Sequence, residues 1–330
     1  MAAHRYRLGG RTVACNRPLY GIAAQAARGA KAEIEIHVAA AGAAAPRGRT
    51  WFHSWVGADD KGAPRLRFGF SRGQYLLDAP RAARFLVSMA GNEIICFPAR
   101  GLAQSSFYHL LLDQVLPLAL GLMGDVVLHA SAVVLAGEAL ALAGPSGRGK
   151  STLAAHLGAR GAQVLTDDCL VLRESGDAWR AFPFDQGIRL SRDSVRAALR
   201  GPVEGTEVAE GSAKLRILRH AGIAFRRQPA PLGVIVLPQE RRRALRRAAL
   251  ARLTPREAMM ALLPQMFFFE IRRKLALRNQ FERLCRLVES VPVYRLDLPS
   301  DLKLLRDAAD ALLAMNVGEQ AAFARLALAR

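Results

Sequence analysis

Short apolar runs separated by turn residues fill roughly the first hundred positions of the chain. Residues 65–70 (RLRFGF), 74–77 (QYLL) and 92–97 (NEIICF) alternate or cluster apolar side chains between glycine, proline and aspartate turns. Runs of this length between turn residues are typical of β-strands. We therefore expect a strand-rich N-terminal region over residues 1–104.

The period of the pattern changes after residue 104. Phe107, Leu110, Leu111, Val115 and Leu118 recur at three- and four-residue spacing. This spacing predicts a helix over residues 105–122. We take it as the start of a second domain, residues 105–330.

The C-terminal half of the chain alternates predicted strands and helices. Strands are expected at residues 214–218, 233–237 and 293–298. Thr254 and Glu257 form a capping box around Pro255, which predicts a helix start. Helical spacing also runs from 266 to 288, and a last helix is expected near 300. The second domain is therefore predicted to end in a largely helical part.

The middle of the chain carries the most informative pattern. Residues 127–135 (VLHASAVVL) and 139–142 (ALAL) are apolar runs around a Gly137–Glu138 turn, which predicts a hairpin. The second run leads into GPSGRGKS, and residues 150–157 are predicted to be helical. Residues 163–172 (QVLTDDCLVL) are predicted to form one further strand that carries two acids.

Residues 144–151 match the pattern G-x-x-x-x-G-K-[ST] in full, between a predicted strand and a predicted helix. In such a P-loop, backbone N–H groups at the helix start surround phosphate. The lysine neutralises the β- and γ-phosphates, and the serine hydroxyl is a Mg²⁺ ligand. The motif thus predicts ATP and Mg²⁺ as cofactors. The candidate nucleotide-binding residues are Gly144, Pro145, Ser146, Gly147, Arg148, Gly149, Lys150, Ser151 and Thr152.

Three further positions are candidates for chemistry. Asp167 and Asp168 follow the predicted P-loop helix, where P-loop proteins place the carboxylate that completes the Mg²⁺ shell. Neighbouring residues of a strand face opposite ways, so one acid can hold metal while the other accepts a proton. His129 is either a core residue of an apolar strand or a site residue. Arg189, which follows the run that carries the two acids, is either an arginine that contacts phosphate or a solvated surface arginine, and the second is expected.

Taken together, these residues resemble the kinase domain of HPr kinase/phosphorylase. That family has a histidine on a strand, a GxSGxGKS loop, and then "RG…L…DD". The matching residues here are His129, Gly144, Ser146, Gly147, Gly149, Lys150, Ser151, Arg160, Gly161, Asp167 and Asp168.

The resemblance implies an α/β fold with a mixed sheet related to phosphoenolpyruvate carboxykinase, and phosphorylation of a protein serine. It implies that Asp167 is the general base that takes the hydroxyl proton, and that His129 prepares Asp167 for this role. It also implies that Ser151 and Asp168 hold Mg²⁺. This chain departs from the family in having Thr152 where a glutamate is usual. Asp185 is the nearest acid to the family's later glutamate. The N-terminal region also differs from the family's usual one, so a related kinase of peptides or small proteins is predicted.

Composition and charge limit the classes of protein to which the chain can belong. The 330 residues include 47 basic and 28 acidic ones, a net charge of +19, and 51% of the residues are apolar. The four cysteines lie far apart, which argues against a disulfide scaffold or a structural zinc site. No export signal or apolar run long enough to span a membrane is recognisable. We therefore expect a cytoplasmic protein that does not insert into membranes.

The positive charge is concentrated towards the C-terminus. Residues 241–286 hold thirteen basic and three acidic residues, and Arg241, Arg242 and Arg243 are consecutive. Such a run is either a solvated helical face or a surface that attracts an acidic phosphoacceptor.

Three functions remain open from the sequence. The first is an ATP-dependent kinase that acts on a serine of a peptide or small protein. The second is a P-loop NTPase or nucleotide-gated switch in which water attacks. The third, a nucleic-acid-binding protein, rests on charge alone, since no aromatic–basic alternation or zinc knuckle accompanies it. Whether the chain forms a homo-oligomer is also open.

Overall fold

The computed structural model describes residues 4–20, 22, 31–48, 50–56, 64–184, 187–241, 245, 247–267, 273–299 and 305–314. Its contacts divide the chain into two compact units. The first comprises Met1–Asp125, Ala209–Gly211 and Phe267–Leu277, and the second comprises Val126–Val208, Ser212–Met266 and Arg278–Arg330. The predicted domain boundary between residues 104 and 105 stays a prediction, and the helical segment after it groups with the first unit.

The first unit contains a mixed sheet of eight strands within the described residues, in the order β1-β2-β3-β8-β7-β6-β5-β4. Its alternation is clearest in IEIHV of β3, where Ile34, Ile36 and Val38 are buried and the two polar residues are exposed. The strands predicted near 65, 74 and 92 are confirmed. The strands are β1 His4–Leu8, β2 Arg11–Cys15, β3 Ile34–Val38, β4 Thr50–Val56, β5 Pro64–Ser71, β6 Gln74–Ala79, β7 Ala83–Val87 and β8 Glu93–Pro98.

The helix predicted over 105–122 is present as α1 (Gln104–Leu110) and α2 (Leu116–Leu122), joined by a π-helical turn, Leu111–Val115. The run from Leu111 to Leu120 is almost entirely buried, so this segment is enclosed on more than one side. The Phe107 ring stacks on Phe85 of β7, with ring centroids 5.9 Å apart.

The second unit is built on a mixed sheet of ten strands within the described part of the chain. Eight of them follow the order β18-β12-β10-β11-β19-β14-β13-β9, β21 pairs with β19, and β20 pairs with β21. The strands are β9 Val126–Leu128, β10 Ala130–Leu135, β11 Glu138–Ala143, β12 Gln163–Thr166, β13 Leu170–Ser175, β14 Ala178–Phe182, β18 Ala224–Phe225, β19 Ala230–Pro238, β20 Ala249–Arg252 and β21 Val293–Asp297.

A small antiparallel sheet and five α-helices follow among the described residues of the second part of the chain. The predicted helix starts at Lys150 and Pro255 are confirmed, and the capping box of Thr254 and Glu257 is formed. These elements are β15 Ile188–Ser191, β16 Thr206–Glu207, β17 Lys214–Ile217, α3 Lys150–Gly158, α4 Arg192–Ala198, α5 Pro255–Leu262, α6 Lys274–Ser290 and α7 Leu305–Ala314. No helix in the described ranges is long and apolar enough to cross a membrane.

The central strand β11 (EALALA) is buried on both faces. Its alanines pack towards Leu262 of α5 and Leu284 of α6, whereas its leucines pack towards Leu153 of α3 and Leu312 of α7. A strand covered on both faces is apolar along its length, as this one is. This burial fixes the end of β11, from which the glycine-rich loop begins.

Two predicted strands differ from the structure. The run 127–135 is interrupted at His129, so that β9 pairs with β13 while β10 pairs with β11 and β12. The run 163–172 is divided into β12 and β13 by a turn at Asp167 and Asp168. Asp168 has a φ of +65°, which no strand residue adopts. The argument that the two acids alternate across a strand was therefore wrong.

The predicted helical run from 266 also differs, because helix α6 begins only at Lys274. Residues 268–272 and the predicted helix start near 300 lie outside the described residues, and so do Arg242, Arg243, Arg246 and Asp185.

Candidate active site

The glycine-rich loop, residues 144–149, connects the carboxyl end of β11 to helix α3. Gly144, Gly147 and Gly149 have φ values of +144°, +83° and +87°, which side-chain-bearing residues rarely adopt. Gly149 is the N-cap of α3 in a left-handed conformation. The first N–H groups of a helix have no partner within that helix, so this end of α3 can bind an anion.

The side chain of Lys150 extends back across the glycine-rich loop that precedes it. Its Nζ donates to the carbonyl oxygens of Gly144 at 2.7 Å and Pro145 at 3.1 Å. The residue is only 4% exposed. Burial lowers the pKa of Lys150 to about 8, although Asp168 and Asp167 oppose the shift. A buried cation is thus held beside the N-terminal end of α3.

Asp167 is enclosed by hydrogen-bond donors from three elements. Its Oδ1 accepts from the hydroxyls of Ser131 on β10, at 2.5 Å, and Ser151 on α3, at 2.9 Å. Its Oδ2 accepts from the backbone N–H of Arg189 on β15 at 2.8 Å. The residue is 2% exposed. Burial, and next the charge of Asp168, raise the pKa of Asp167 to about 6.

Asp168 lies in the turn between β12 and β13, and its side chain is 19% exposed. The turn is closed because Cys169 N–H donates to Asp167 O at 2.9 Å and the Thr166 hydroxyl donates to Cys169 O at 2.8 Å. One guanidinium nitrogen of Arg189 donates to Asp168 Oδ2 at 3.1 Å and to Asp167 O at 3.2 Å. Arg189 therefore holds both acids from one side.

His129 lies at the break between β9 and β10. Its Nδ1 is 3.2 Å from the carbonyl oxygen of Asp168, and its backbone N–H donates to Gln265 O at 2.7 Å. Burial, and next the charge of Lys150, lower the pKa of His129 below its ordinary value of 6.5. The imidazole therefore lies beside the acidic turn in surroundings that disfavour its protonated form.

The segment after β19 passes alongside the loop. Arg148 forms an ion pair with Glu240 at 3.3 Å. A Cβ on Gly149 would lie 3.3 Å from a guanidinium nitrogen of Arg241, so a side chain there would crowd that cation. Arg241 is half-buried, and burial lowers its pKa. The start of the basic run thus adds a further cation beside the loop.

The structure brings together the lysine, serine and both acids of the predicted site, and it places His129 next to them. The remaining loop residues are divided: Pro145, Ser146 and Gly147 are exposed, whereas Thr152 is buried, with its hydroxyl 2.9 Å from that of Ser194. The predicted pairing joined Ser151 to Asp168, but the hydroxyl bonds Asp167 instead. The catalytic and metal-binding roles remain predictions.

Sequence reasoning missed two residues of this site. Arg189 was expected on the surface but is 5% exposed. Ser131 is fully buried, and the only signal for it was a hydroxyl two positions after His129 in an otherwise apolar run. In the described ranges no group of three or more His, Cys, Asp and Glu residues is placed to hold a metal.

Comparison with known proteins gives little further information. No family model matches the chain, and no curated protein matches it. Among solved structures, it is similar to the Hpr(Ser) kinase/phosphatase from Coxiella burnetii, with 12% identity and a TM-score of 0.29. That match covers 58% of this chain and 98% of that chain. A likeness at this level carries no argument about activity.

Proposed function

We propose that this protein is an ATP-dependent kinase that transfers the γ-phosphate to a serine hydroxyl of a peptide or small protein. The observation that carries the proposal is the hydrogen bond of 2.9 Å between Ser151, at the start of α3, and Asp167, after the next strand. P-loop enzymes pair these two groups to hold Mg²⁺ and the nucleotide phosphates.

The nucleotide phosphates would lie at the glycine-rich loop. The N–H groups at the start of α3, the ammonium of Lys150 and the guanidinium of Arg241 all favour an anion there. Lys150 would exchange its bonds to the two loop carbonyls for bonds to phosphate oxygens. Lys150 and Arg241 would together bring two positive charges to the phosphates, which suits a triphosphate.

The donors at the site also fit Mg²⁺. Mg²⁺ prefers oxygen ligands and is usually held by one or two carboxylates together with substrate phosphates. Ser151 and the two aspartates supply such oxygens without a larger cluster. The metal would neutralise charge on the phosphates as the β–γ bond breaks.

Phosphotransfer needs an acceptor oxygen in line with the γ-phosphate and a group that takes its proton. The hydroxyl oxygen forms the new bond to phosphorus, the bond to the β–γ bridging oxygen breaks, and ADP leaves with that electron pair. A carboxylate of the acidic pair would receive the hydroxyl proton.

The test is transfer from [γ-³²P]ATP with Mg²⁺ to serine peptides of net negative, neutral and net positive charge. We expect label on a serine peptide, no label when that serine is replaced by alanine, and none with Lys150→Met. ATP turnover without labelling of any peptide would favour the alternative in which water is the acceptor. Absence of both nucleotide binding and turnover would contradict the proposal.

A further inference from the structure

The two adjacent acids have different surroundings. The carboxylate of Asp167 accepts from the buried hydroxyl of Ser131 and the half-buried hydroxyl of Ser151 at Oδ1, and from the N–H of Arg189 at Oδ2. A carboxylate that is 2% exposed and bonded at both oxygens cannot approach the hydroxyl of an incoming peptide without losing these bonds. Asp167 is therefore fixed on the side of Ser151 and the loop.

Asp168, unlike Asp167, has a side chain that is partly exposed. Its left-handed backbone turns the side chain away from the path of a strand, and a fifth of that side chain is exposed. Within the described residues, its hydrogen bonding involves only Oδ2, through Arg189, which leaves Oδ1 for an outside donor. The imidazole of His129 lies against the backbone of the same residue.

We infer that Asp167 is the carboxylate of the Mg²⁺ and Ser151 side, and that Asp168 receives the proton of the acceptor hydroxyl. This is the reverse of the assignment that the resemblance to HPr kinase implies. The inference rests on the proposed function and assigns its two carboxylates. Ser131 is then a positioning residue for Asp167, and Arg189 is a positioning residue for Asp168.

The chemical step under this assignment is balanced. The acceptor oxygen bonds to the γ-phosphorus, its proton passes to Asp168 Oδ1, and the bridging oxygen leaves on ADP. Asp167 keeps its hydrogen bonds throughout, so the group that orients Ser151 does not move while the proton is transferred. A left-handed aspartate costs backbone energy, and such strain is common where a side chain must be aimed.

The experiment separates metal binding from proton transfer. Binding of Mn²⁺, as a substitute for Mg²⁺, is measured in the presence of ADP from the electron paramagnetic resonance signal of free Mn²⁺. Hydrolysis of [γ-³²P]ATP gives the transfer rate, with water as an acceptor that is always present. The variants are Asp167→Asn, Asp168→Asn and Ser131→Ala. Ser71→Ala is the matched control, since Ser71 is also buried and bonds a backbone carbonyl of the first unit.

We expect Asp168→Asn to keep the Mn²⁺ affinity within about twofold of wild type, while ATP hydrolysis falls on the order of 10²–10⁴-fold. Asp167→Asn and Ser131→Ala should weaken Mn²⁺ binding by roughly tenfold or more, as loss of a supporting group around a metal ligand does. Ser71→Ala should change neither quantity.

The opposite pattern overturns the inference: loss of Mn²⁺ affinity in Asp168→Asn, with Asp167→Asn keeping metal but losing hydrolysis. If Asp167→Asn does not fold, Asp168→Asn still decides, because its side chain is partly exposed and the two assignments predict opposite metal affinities. Failure of the wild-type protein to bind Mn²⁺ with ADP is a different result, which contradicts the proposed function itself.

Discussion

Under the proposed function, Lys150 serves as a phosphate-binding cation, and it does so from a position that is almost fully buried. We expect Lys150→Met to reduce ATP turnover on the order of 10²–10³-fold, the cost of removing one charged donor from a reacting group. Stability should change little, because methionine keeps the apolar stem and removes a charge that burial disfavours. Turnover and the thermal midpoint are measured beside Lys274→Met, an exposed lysine at the start of α6. Wild-type turnover in Lys150→Met would refute a phosphate role for this residue.

Arg241 gives a second prediction for a single residue. Its guanidinium lies beside Gly149, at the end of α3 where phosphate is expected. Removal of a charged hydrogen bond costs about 1.5–3 kcal/mol, so Arg241→Ala should weaken ATP binding roughly tenfold or more. Calorimetric titration with ATP measures this. Arg247→Ala removes an exposed arginine of the same segment and should leave ATP affinity unchanged. Equal affinities in the two variants would contradict a phosphate contact by Arg241.

At the scale of elements, two tyrosine hydroxyls form hydrogen bonds with the segment that follows β2. The hydroxyl of Tyr108 on α1 donates to Pro18 O at 2.7 Å, and that of Tyr6 on β1 accepts from Leu19 N–H at 2.8 Å. Burial raises the pKa of Tyr108 from 10.0 to about 12. Between pH 10 and about pH 12, the folded protein therefore keeps the Tyr108 proton, whereas the unfolded chain releases it. The stability from this group is complete below pH 10 and is lost as the pH rises towards 12.

Tyr108→Phe should consequently lower the free energy of unfolding at pH 7 by about 1 kcal/mol, through loss of a buried hydrogen bond. The difference from wild type should shrink as the pH rises above 10. Urea unfolding at pH 7 and at several alkaline pH values measures both effects. The exposed Tyr20 provides a control, since Tyr20→Phe removes a solvent-facing hydroxyl. A gap between Tyr108→Phe and wild type that stays constant above pH 10 would contradict the assigned ionisation.

The elements also show which parts of the fold and of the site could be predicted from the sequence. The strand at 138–143, the glycine-rich loop and the start of α3 follow from local pattern, because a short apolar run and the glycine-rich motif after it are properties of neighbouring residues. The division of 163–172 was missed, because Asp168 adopts a positive φ under contacts from Thr166, Cys169 and Arg189. Ser131 and Arg189 were missed since their bonds to Asp167 span 36 and 22 residues. Local pattern finds the loop, and distant contacts complete the site.

For the whole molecule, the net charge of +19 sets a long-range attraction for acidic partners. Arg247, Arg252 and Arg256 are exposed residues of the basic run, in the part of it that the structure describes. If this run steers an acidic serine peptide to the site, replacing the three by serine should raise the KM for that peptide at low salt. The KM for ATP should not change, because in the described part of the chain no hydrogen bond or ion pair joins any of the three to the glycine-rich loop. Steady-state phosphotransfer at low ionic strength measures both constants.

The control is a second triple variant with the same net charge as the first. Replacing Arg200, Arg219 and Arg227, which are exposed outside the basic run, by serine also lowers the net charge from +19 to +16. General attraction by net charge would raise the peptide KM equally in both triple variants, whereas steering by the basic run raises it only in the first. The difference should vanish near 1 M salt, where the screening length falls to about 3 Å. A difference that persists at that salt would indicate direct contact with the peptide, and equal values at low salt would leave the run as a solvated surface.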